Sequence, residues 1–235
     1  MTPSTSRAPW YTFISSGAGA DTINVGAAGS VQNINAYLSI DNPSASDTIN
    51  INDSADTAAR TVTMSSYTPT GDTKFISLTG LAPAEIDYEA SDTQYANITS
   101  GSGGDTFNVY DTAWANSGNT VLRNGSSSFN TINVYGTTGG LYVDGGSGGQ
   151  SVNVGNSGSA LGNGSGSMQN INRFVYPYNS GSNGYTYLHL DDSGDAAGRT
   201  VSMYDGSIYG LAPGNIYWLD NSSGSYYGGV DYLAV

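Results

Sequence analysis

Two copies of one charged constellation are the most conspicuous candidates for chemistry in this chain of 235 residues. Each copy has two aspartates and one arginine, at Asp53, Asp56 and Arg60 and again at Asp192, Asp195 and Arg199. Paired carboxylates could coordinate a cation or act as an acid and a base. In a turn, the aspartates would instead cap backbone N–H groups and the arginine would neutralise them. A turn is copied together with its repeat, whereas a catalytic site is seldom duplicated, so we predict structural turns.

Two glycine-rich segments, at 17–23 and 101–107, are the candidates for a calcium site. Each partly matches the calcium-binding nonapeptide of repeats-in-toxin proteins, with Asp21 and Asp105 as the acidic ligands. In that family the nonapeptides follow one another directly, but here the two aspartates are 84 positions apart (105 − 21). At the third candidate, Gln150 replaces the aspartate. We therefore expect no cofactor, with calcium as the alternative.

The remaining residues do not favour an enzyme. The single histidine, His189, stands where the first repeat has Asn50, which indicates a substitution in a row of surface amides. Enzymes of the pectate-lyase-like class combine clustered acids with a basic residue. The six basic residues are scattered along this chain, at Arg7, Arg60, Lys74, Arg123, Arg173 and Arg199. A polysaccharide-active enzyme is the least favoured hypothesis, and we expect a protein that is not an enzyme.

Tyrosine is the surplus residue type, with 18 Tyr against five Phe. Ten of them fall in the last 60 residues, at Tyr176, Tyr178, Tyr185, Tyr187, Tyr204, Tyr209, Tyr217, Tyr226, Tyr227 and Tyr232. Tyrosine offers apolar area with a polar tip, which suits contact with a glycan or a neighbouring subunit. The same rings could instead pack against one another as cross-strand neighbours. The sequence leaves both readings open.

Composition limits the partners and the compartment. A net charge of −13 with six basic residues argues against nucleic-acid binding. No stretch approaches the length of a membrane span, and residues 1–7 lack the apolar run of a signal peptide. Abundant hydroxyl and amide side chains indicate an extracellular or cell-surface location. Five sequons offer glycosylation sites, at Asn52, Asn97, Asn124, Asn163 and Asn221.

The elements that must position these residues are strands. Apolar residues alternate with polar ones, as in Ile23/Val25 and Val152/Val154, and no segment has a helical period. The chain should be all-β, a single parallel β-helix of roughly ten coils without a helical domain. We expect a right-handed winding from the general prevalence of right-handed crossovers. The first repeat carries an insertion around 67–72, which we expect to be a surface loop.

The chain also repeats on a long period. The block at 52–64 returns at 191–203, and Gly80-Leu81-Ala82-Pro83 returns at 210–213. We predict one continuous solenoid over 1–235, with long repeats at about 11–104 and 140–235 and linking coils at 105–139.

These blocks carry a resemblance. The segments 53–63, 80–88 and 101–109 resemble the repeat unit of very long bacterial surface proteins that are predicted to be β-solenoids. The resemblance covers nearly the whole chain. It implies a structural, adhesive or surface-layer role and supplies no catalytic residues.

The two ends of the sequence reach a similar phase of the repeat. Both carry apolar, strand-like residues, namely Trp10, Tyr11, Phe13 and Ile14 at one end and Val230, Tyr232, Leu233 and Val235 at the other. Complementary open ends favour head-to-tail assembly, which does not close. We therefore expect a structural protein that assembles with itself into an extracellular fibre or surface array. The alternative is a carbohydrate-binding or adhesion module of a larger cell-surface protein.

Overall fold

The all-β class is confirmed. A computed structural model describes residues 10–41, 46–113, 118–125, 128–156, 164–181, 183–218 and 230–234, with only the backbone of the last segment. Within these ranges the chain forms nineteen strands and no helix. The strands are arranged in two sheets, called sheet A and sheet B here.

Each sheet is given in its spatial order. Sheet A consists of β1 (Tyr11–Ile14), β3 (Tyr37–Ile40), β7 (Ile86–Glu89), β6 (Phe75–Thr79), β5 (Thr61–Tyr67), β9 (Thr106–Val109), β11 (Asn130–Val134), β13 (Gly149–Val154), β15 (Tyr185–Leu190) and β19 (Val230–Ala234). Sheet B consists of β16 (Ser202–Tyr204), β17 (Ser207–Tyr209), β18 (Ile216–Tyr217), β14 (Val175–Tyr178), β12 (Gly140–Asp144), β10 (Asn119–Arg123), β8 (Thr93–Thr99), β4 (Asp47–Asn52) and β2 (Thr22–Val25).

Outside two insertions, the chain passes from one sheet to the other with each strand, and the pairing is parallel. The register aligns like with like: Asn24 lies beside Asn50 in sheet B, and Asn133 lies beside Asn153 in sheet A. The two-residue period sends one apolar set inward from each strand. Ile49, Val134 and the other inward residues form one continuous core between the sheets. Burying each such side chain contributes about 1.5–3 kcal/mol.

Two antiparallel insertions interrupt the parallel ladders, and the sequence did not predict them. Strands β5, β6 and β7 form a meander within sheet A, between β9 and β3. Strands β16, β17 and β18 form a second meander at one end of sheet B. The sheets are therefore mixed, which corrects the expectation of uninterrupted parallel coils. The insertion at 67–72 is the loop that joins β5 to β6.

The two meanders are copies of one another in opposite sheets. Leu78 pairs with Ile86 in the first, and their counterparts Ile208 and Ile216 pair in the second. From β5 to β16 the chain crosses between the sheets an odd number of times, so the second meander lies in the opposite sheet from the first.

The described residues contain no helix that could span a membrane.

Candidate assembly interface and surface sites

The first charged constellation forms a turn after β4. The Asp53 side chain is buried and accepts hydrogen bonds from the Val31 amide at 3.0 Å and from Gln32 Nε2 at 2.7 Å. Burial raises the pKa of Asp53. Asp56 accepts hydrogen bonds from Arg60 Nε at 2.6 Å and from the Ala58 amide at 3.0 Å. The bond from Arg60 lowers the pKa of Asp56. Asp53 thus binds groups of the preceding coil, and Asp56 binds groups of its own turn.

The second constellation repeats this arrangement. Asp192 accepts hydrogen bonds from the Met168 amide at 2.8 Å and from Gln169 Nε2 at 3.0 Å. Asp195 accepts hydrogen bonds from the Ala197 amide at 2.9 Å and from Arg199 Nε at 2.7 Å, and both bonds lower its pKa. Acid–base chemistry needs a carboxylate that faces a substrate. Asp195 instead binds groups of its own turn, and Asp192 binds groups of the preceding coil.

The two calcium candidates do not come together. Asp21 precedes β2 in sheet B, whereas Asp105 precedes β9 in sheet A. Asp105 is buried and accepts a hydrogen bond from the Arg60 amide at 2.8 Å. Among the described residues, no three His, Cys, Asp or Glu side chains are grouped so that they could hold a metal ion.

Amide ladders line the outer face of both sheets. In sheet B, Asn50 donates to Asn24 and Asn97 donates to Asn50, each at 2.9 Å. In sheet A, Asn133 donates to Asn108 and Asn153 donates to Asn133, each at 2.9 Å.

His189 takes the next position in the ladder of sheet A. Its Nδ1 lies 2.7 Å from Asn153 Oδ1, so Nδ1 is the protonated, donating nitrogen in this contact. Burial lowers the pKa of His189, which favours the neutral ring. The histidine therefore continues a structural row of side chains.

The structure describes the surroundings of three of the five glycosylation candidates. Asn52 is exposed at the end of β4. Asn97 uses its amide nitrogen in the ladder, and Asn124 is 6% exposed and donates to Gln150 at 2.9 Å. A glycan is attached through this same nitrogen, which in the folded chain already donates a hydrogen bond at both residues. Asn163 and Asn221 lie outside the described residues.

Seven aromatic rings form a continuous row on the outer face of sheet B, called the aromatic stripe here. Successive rings are 5.1–6.1 Å apart between centroids. The stripe runs through Tyr178, Tyr176, Tyr142, Phe174, Tyr217, Tyr209 and Tyr204. The rings thus pack against one another and also present a surface to solvent, so the two readings of the tyrosines are compatible. Tyr226 and Tyr227 lie outside the described residues.

One polar cluster was missed by sequence reasoning. Tyr37 and Tyr67 both donate hydrogen bonds to Asp87 Oδ2, at 2.6 and 2.5 Å, from strands that only the first meander brings together. Asp87 is 1% exposed, and burial raises its pKa to about 6. Its Oδ1 has no hydrogen-bond partner among the described residues. The cluster is absent from the second meander, where Tyr217 replaces Asp87.

The ends of the sheets carry the residues predicted for assembly. In β1 and just before it, Trp10, Tyr11 and Phe13 are 76%, 68% and 54% exposed, whereas Ile14 packs partly against the core. Strand β1 is the edge of sheet A at one end, and β19, which contains Val230, Tyr232 and Leu233, is the edge at the other. Val235 lies outside the described residues.

Comparison with known proteins gives no relative. No family model, no curated protein and no solved structure matches this chain.

Proposed function

We propose that this chain is a non-enzymatic structural protein, a two-sheeted β-solenoid that assembles head-to-tail with copies of itself into an extracellular fibre or surface array. The observation that carries the proposal is the pair of open edges of sheet A. In the part of the chain that the structure describes, β1 and β19 each have one neighbour and one unpaired edge. An unpaired edge offers a row of N–H and C=O groups to another strand.

The apolar character of β1 supports a second copy of this chain as the partner that pairs with the open edge of sheet A. Isolated proteins usually protect an edge strand with charge, proline or a covering loop. Strand β1 has the sequence Tyr-Thr-Phe-Ile, and its Tyr11 and Phe13 rings are mostly exposed. Because β1 and β19 belong to the same sheet and run in the same parallel direction as their neighbours, stacking one copy on the next continues the sheet. The contact is heterologous and leads to an open polymer.

Electron microscopy at neutral pH tests the proposal. We expect unbranched fibres with an axial repeat of about 45 Å, from nine or ten strands per copy at ~4.8 Å spacing. The fibres should persist with a calcium chelator. Phe13→Asp places a charge on the β1 edge and should leave a folded protein that does not elongate, whereas Thr70→Asp, in the exposed β5–β6 loop, should elongate normally. Wild-type protein that stays dispersed as short rods would refute the proposal.

The aromatic stripe favours a second candidate function, binding of carbohydrate at a surface. Successive rings of the stripe are inclined to one another by 33–84°, so it presents both faces and edges of Tyr rings to a ligand. Tyr faces suit the apolar faces of sugar rings, and the phenol groups supply hydrogen bonds. At the end of the stripe, Tyr204 and Tyr209 line a shallow depression together with Ser202 and Ser207.

A glycan panel separates this candidate from the first. Binding that is lost in Tyr176→Ala but kept in Tyr110→Ala would support it, because Tyr110 stacks on Tyr135 outside the stripe. If wild-type protein binds no glycan, the stripe is only a packing feature.

A further inference from the structure

The edge strand β16 has an internal counterpart whose neighbour is known. Strand β16 corresponds to β5, because Thr61–Met64 recurs as Thr200–Met203, and its hairpin with β17 keeps the register of β5 with β6. Strand β5 pairs in parallel with β9. No described strand pairs with the outer edge of β16.

The counterpart of β9 is the strand at the opposite edge of sheet B. The sequence Asp-Thr-Phe-Asn-Val that begins at Asp105 recurs as Asp-Thr-Ile-Asn-Val from Asp21 to Val25. This segment forms β2, the last strand of sheet B. The two edges of sheet B are therefore copies of two strands that pair with each other inside sheet A.

Burial shows what β16 lacks. Val62 and Met64 of β5 are fully buried beside β9. Their counterparts Val201 and Met203 are 42% and 58% exposed. An apolar pair that the internal copy buries is thus left open at the edge.

The glycines before β2 and β9 give an independent observation. A Cβ on Gly103 would overlap the carbonyl group of Ala58, in the turn that precedes β5. The counterpart Gly19 has nothing within 4 Å of the same Cβ position. Neither glycine has a positive φ, so only close packing requires glycine at Gly103. Nothing in the described part of the chain makes the same demand at Gly19.

The hydrogen bonds follow the same pattern. The Arg60 amide donates to Asp105 at 2.8 Å, and the Ser102 amide donates to the Asp56 carbonyl at 2.8 Å. Asp21 is the counterpart of Asp105. In the described part of the chain, no backbone or side-chain group donates a hydrogen bond to its carboxylate. The turn at Asp195 contacts Gly164–Gly166 of the preceding coil, where the Gly194 amide donates to the Gly166 carbonyl at 2.7 Å. Among the described residues, however, no amide donates to the Asp195 carbonyl as Ser102 does to that of Asp56.

We propose that β16 of one copy pairs in parallel with β2 of the next, in the register of β5 with β9, and that the turn at 195–198 receives the Gly17–Gly19 segment of that copy. The pairing places Thr200 beside Thr22, Val201 beside Ile23, Ser202 beside Asn24 and Met203 beside Val25. This inference rests on the proposed head-to-tail assembly and gives it an atomic register. The partner is a second copy of this chain.

In the proposed contact between copies, sheet A has one strand more than the equivalent position inside the chain, where β5 pairs with β9. Strand β19 pairs with β15 as β8 pairs with β4, with the irregularity at the same place in each ladder. The sequence of β1 matches that of β8 as well, from Tyr11 and Tyr95 onward. Two copies therefore bring two counterparts of β8 side by side. The fold accepts such a surplus, since sheet A already holds three strands between β3 and β9, where regular alternation of the sheets would place one.

Cysteine cross-linking tests the register, because the chain contains no cysteine. Asn24→Cys with Ser202→Cys places the two thiols opposite each other across the proposed contact, within the Cα separation that a disulfide spans. Thr22→Cys with Ser202→Cys is the matched control on the same face. Its two Cα atoms would be about 8 Å apart, which is too far for a disulfide. Strands β2 and β16 are opposite edges of sheet B, so a disulfide can form only between copies.

We expect disulfide-linked multimers from the first pair on a non-reducing gel and none from the control pair. A second variant tests the glycine contact. Gly19→Val points into open space in the single chain, so its circular dichroism and thermal unfolding should match wild type, while fibres are lost. Thr70→Val, which adds an apolar group to an exposed loop, should still form fibres.

The outcomes separate the two proposals. If wild type forms fibres but both cysteine pairs cross-link equally, or neither does, the register is wrong and head-to-tail assembly stands. Fibres from Gly19→Val would overturn the glycine contact in the same way. If wild type forms no fibres, the proposed function itself fails.

Discussion

Asp87 should make the stability of the fold fall as the pH rises. Its carboxyl is buried under Tyr37 and Tyr67, and burial raises its pKa from an ordinary value of 3.8 to about 6. The folded chain therefore holds this proton more tightly than the unfolded chain does. The stabilisation is fully present below about pH 4 and is lost as the pH rises to about 6.

The magnitude follows from the two pKa values. A difference of about 2 between the folded and unfolded states corresponds to about 3 kcal/mol of unfolding free energy. Asp87→Asn keeps an oxygen that can accept from both tyrosines and removes the titration. Relative to this variant, wild type should lose about 3 kcal/mol of stability between pH 4 and pH 7.

Urea unfolding followed by circular dichroism, at half-unit steps from pH 3.5 to pH 7.5, measures this difference. Asp72→Asn removes an exposed carboxylate from the β5–β6 loop and serves as the control; it should retain the wild-type pH dependence. Parallel profiles for wild type and Asp87→Asn would show that burial does not govern the ionisation of Asp87. The reasoning from the polar cluster would then be wrong.

Two further predictions concern the core and the ladders. Ile132→Ala empties a fully buried site between the sheets and should lower the unfolding free energy by about 2–5 kcal/mol in urea titrations; a loss below about 1 kcal/mol would indicate a core that collapses around the cavity. Asn133→Ala removes a ladder side chain that donates to Asn108 and accepts from Asn153, and should cost about 1–3 kcal/mol. Asn24→Ala removes only one ladder bond at the sheet edge and should cost less by the same assay; equal losses would contradict a separate contribution from each ladder bond.

Part of this fold could be predicted from the sequence, because it depends on patterns among residues that are close in the chain. Alternation in segments such as Ile23/Val25 identifies strands, and identical residues at one phase indicate parallel stacking, as the alignment of Asn24 with Asn50 shows. Periodicity does not specify the partner of a strand or its direction. Phe75–Thr79 reads like any other strand, yet it runs antiparallel between β5 and β7.

The polar cluster could not be predicted for a related reason. Tyr37, Tyr67 and Asp87 are separated by 20 to 50 positions, and only the meander brings them together. Asp53, Asp56 and Arg60, by contrast, are close in the chain, so a local sequence pattern was enough to group them. The hydrogen-bonded amides of Asn97 and Asn124 show what a local pattern does not contain. A sequon is a local pattern, whereas access to its nitrogen depends on neighbouring coils.

The edge strands of sheet B give a further argument for the proposed assembly. A strand edge that stays in solvent is usually protected by lysine, proline or a bulge. Strand β2 reads Thr-Ile-Asn-Val and β16 reads Ser-Met-Tyr, and neither has any of these residues. The second repeat differs from the first at surface positions, for example where Ala196 replaces Thr57. It nevertheless keeps Val201 and Met203 apolar although both are largely exposed in the single chain. Variation at neighbouring sites together with retention at the open edge is what a contact with another copy requires.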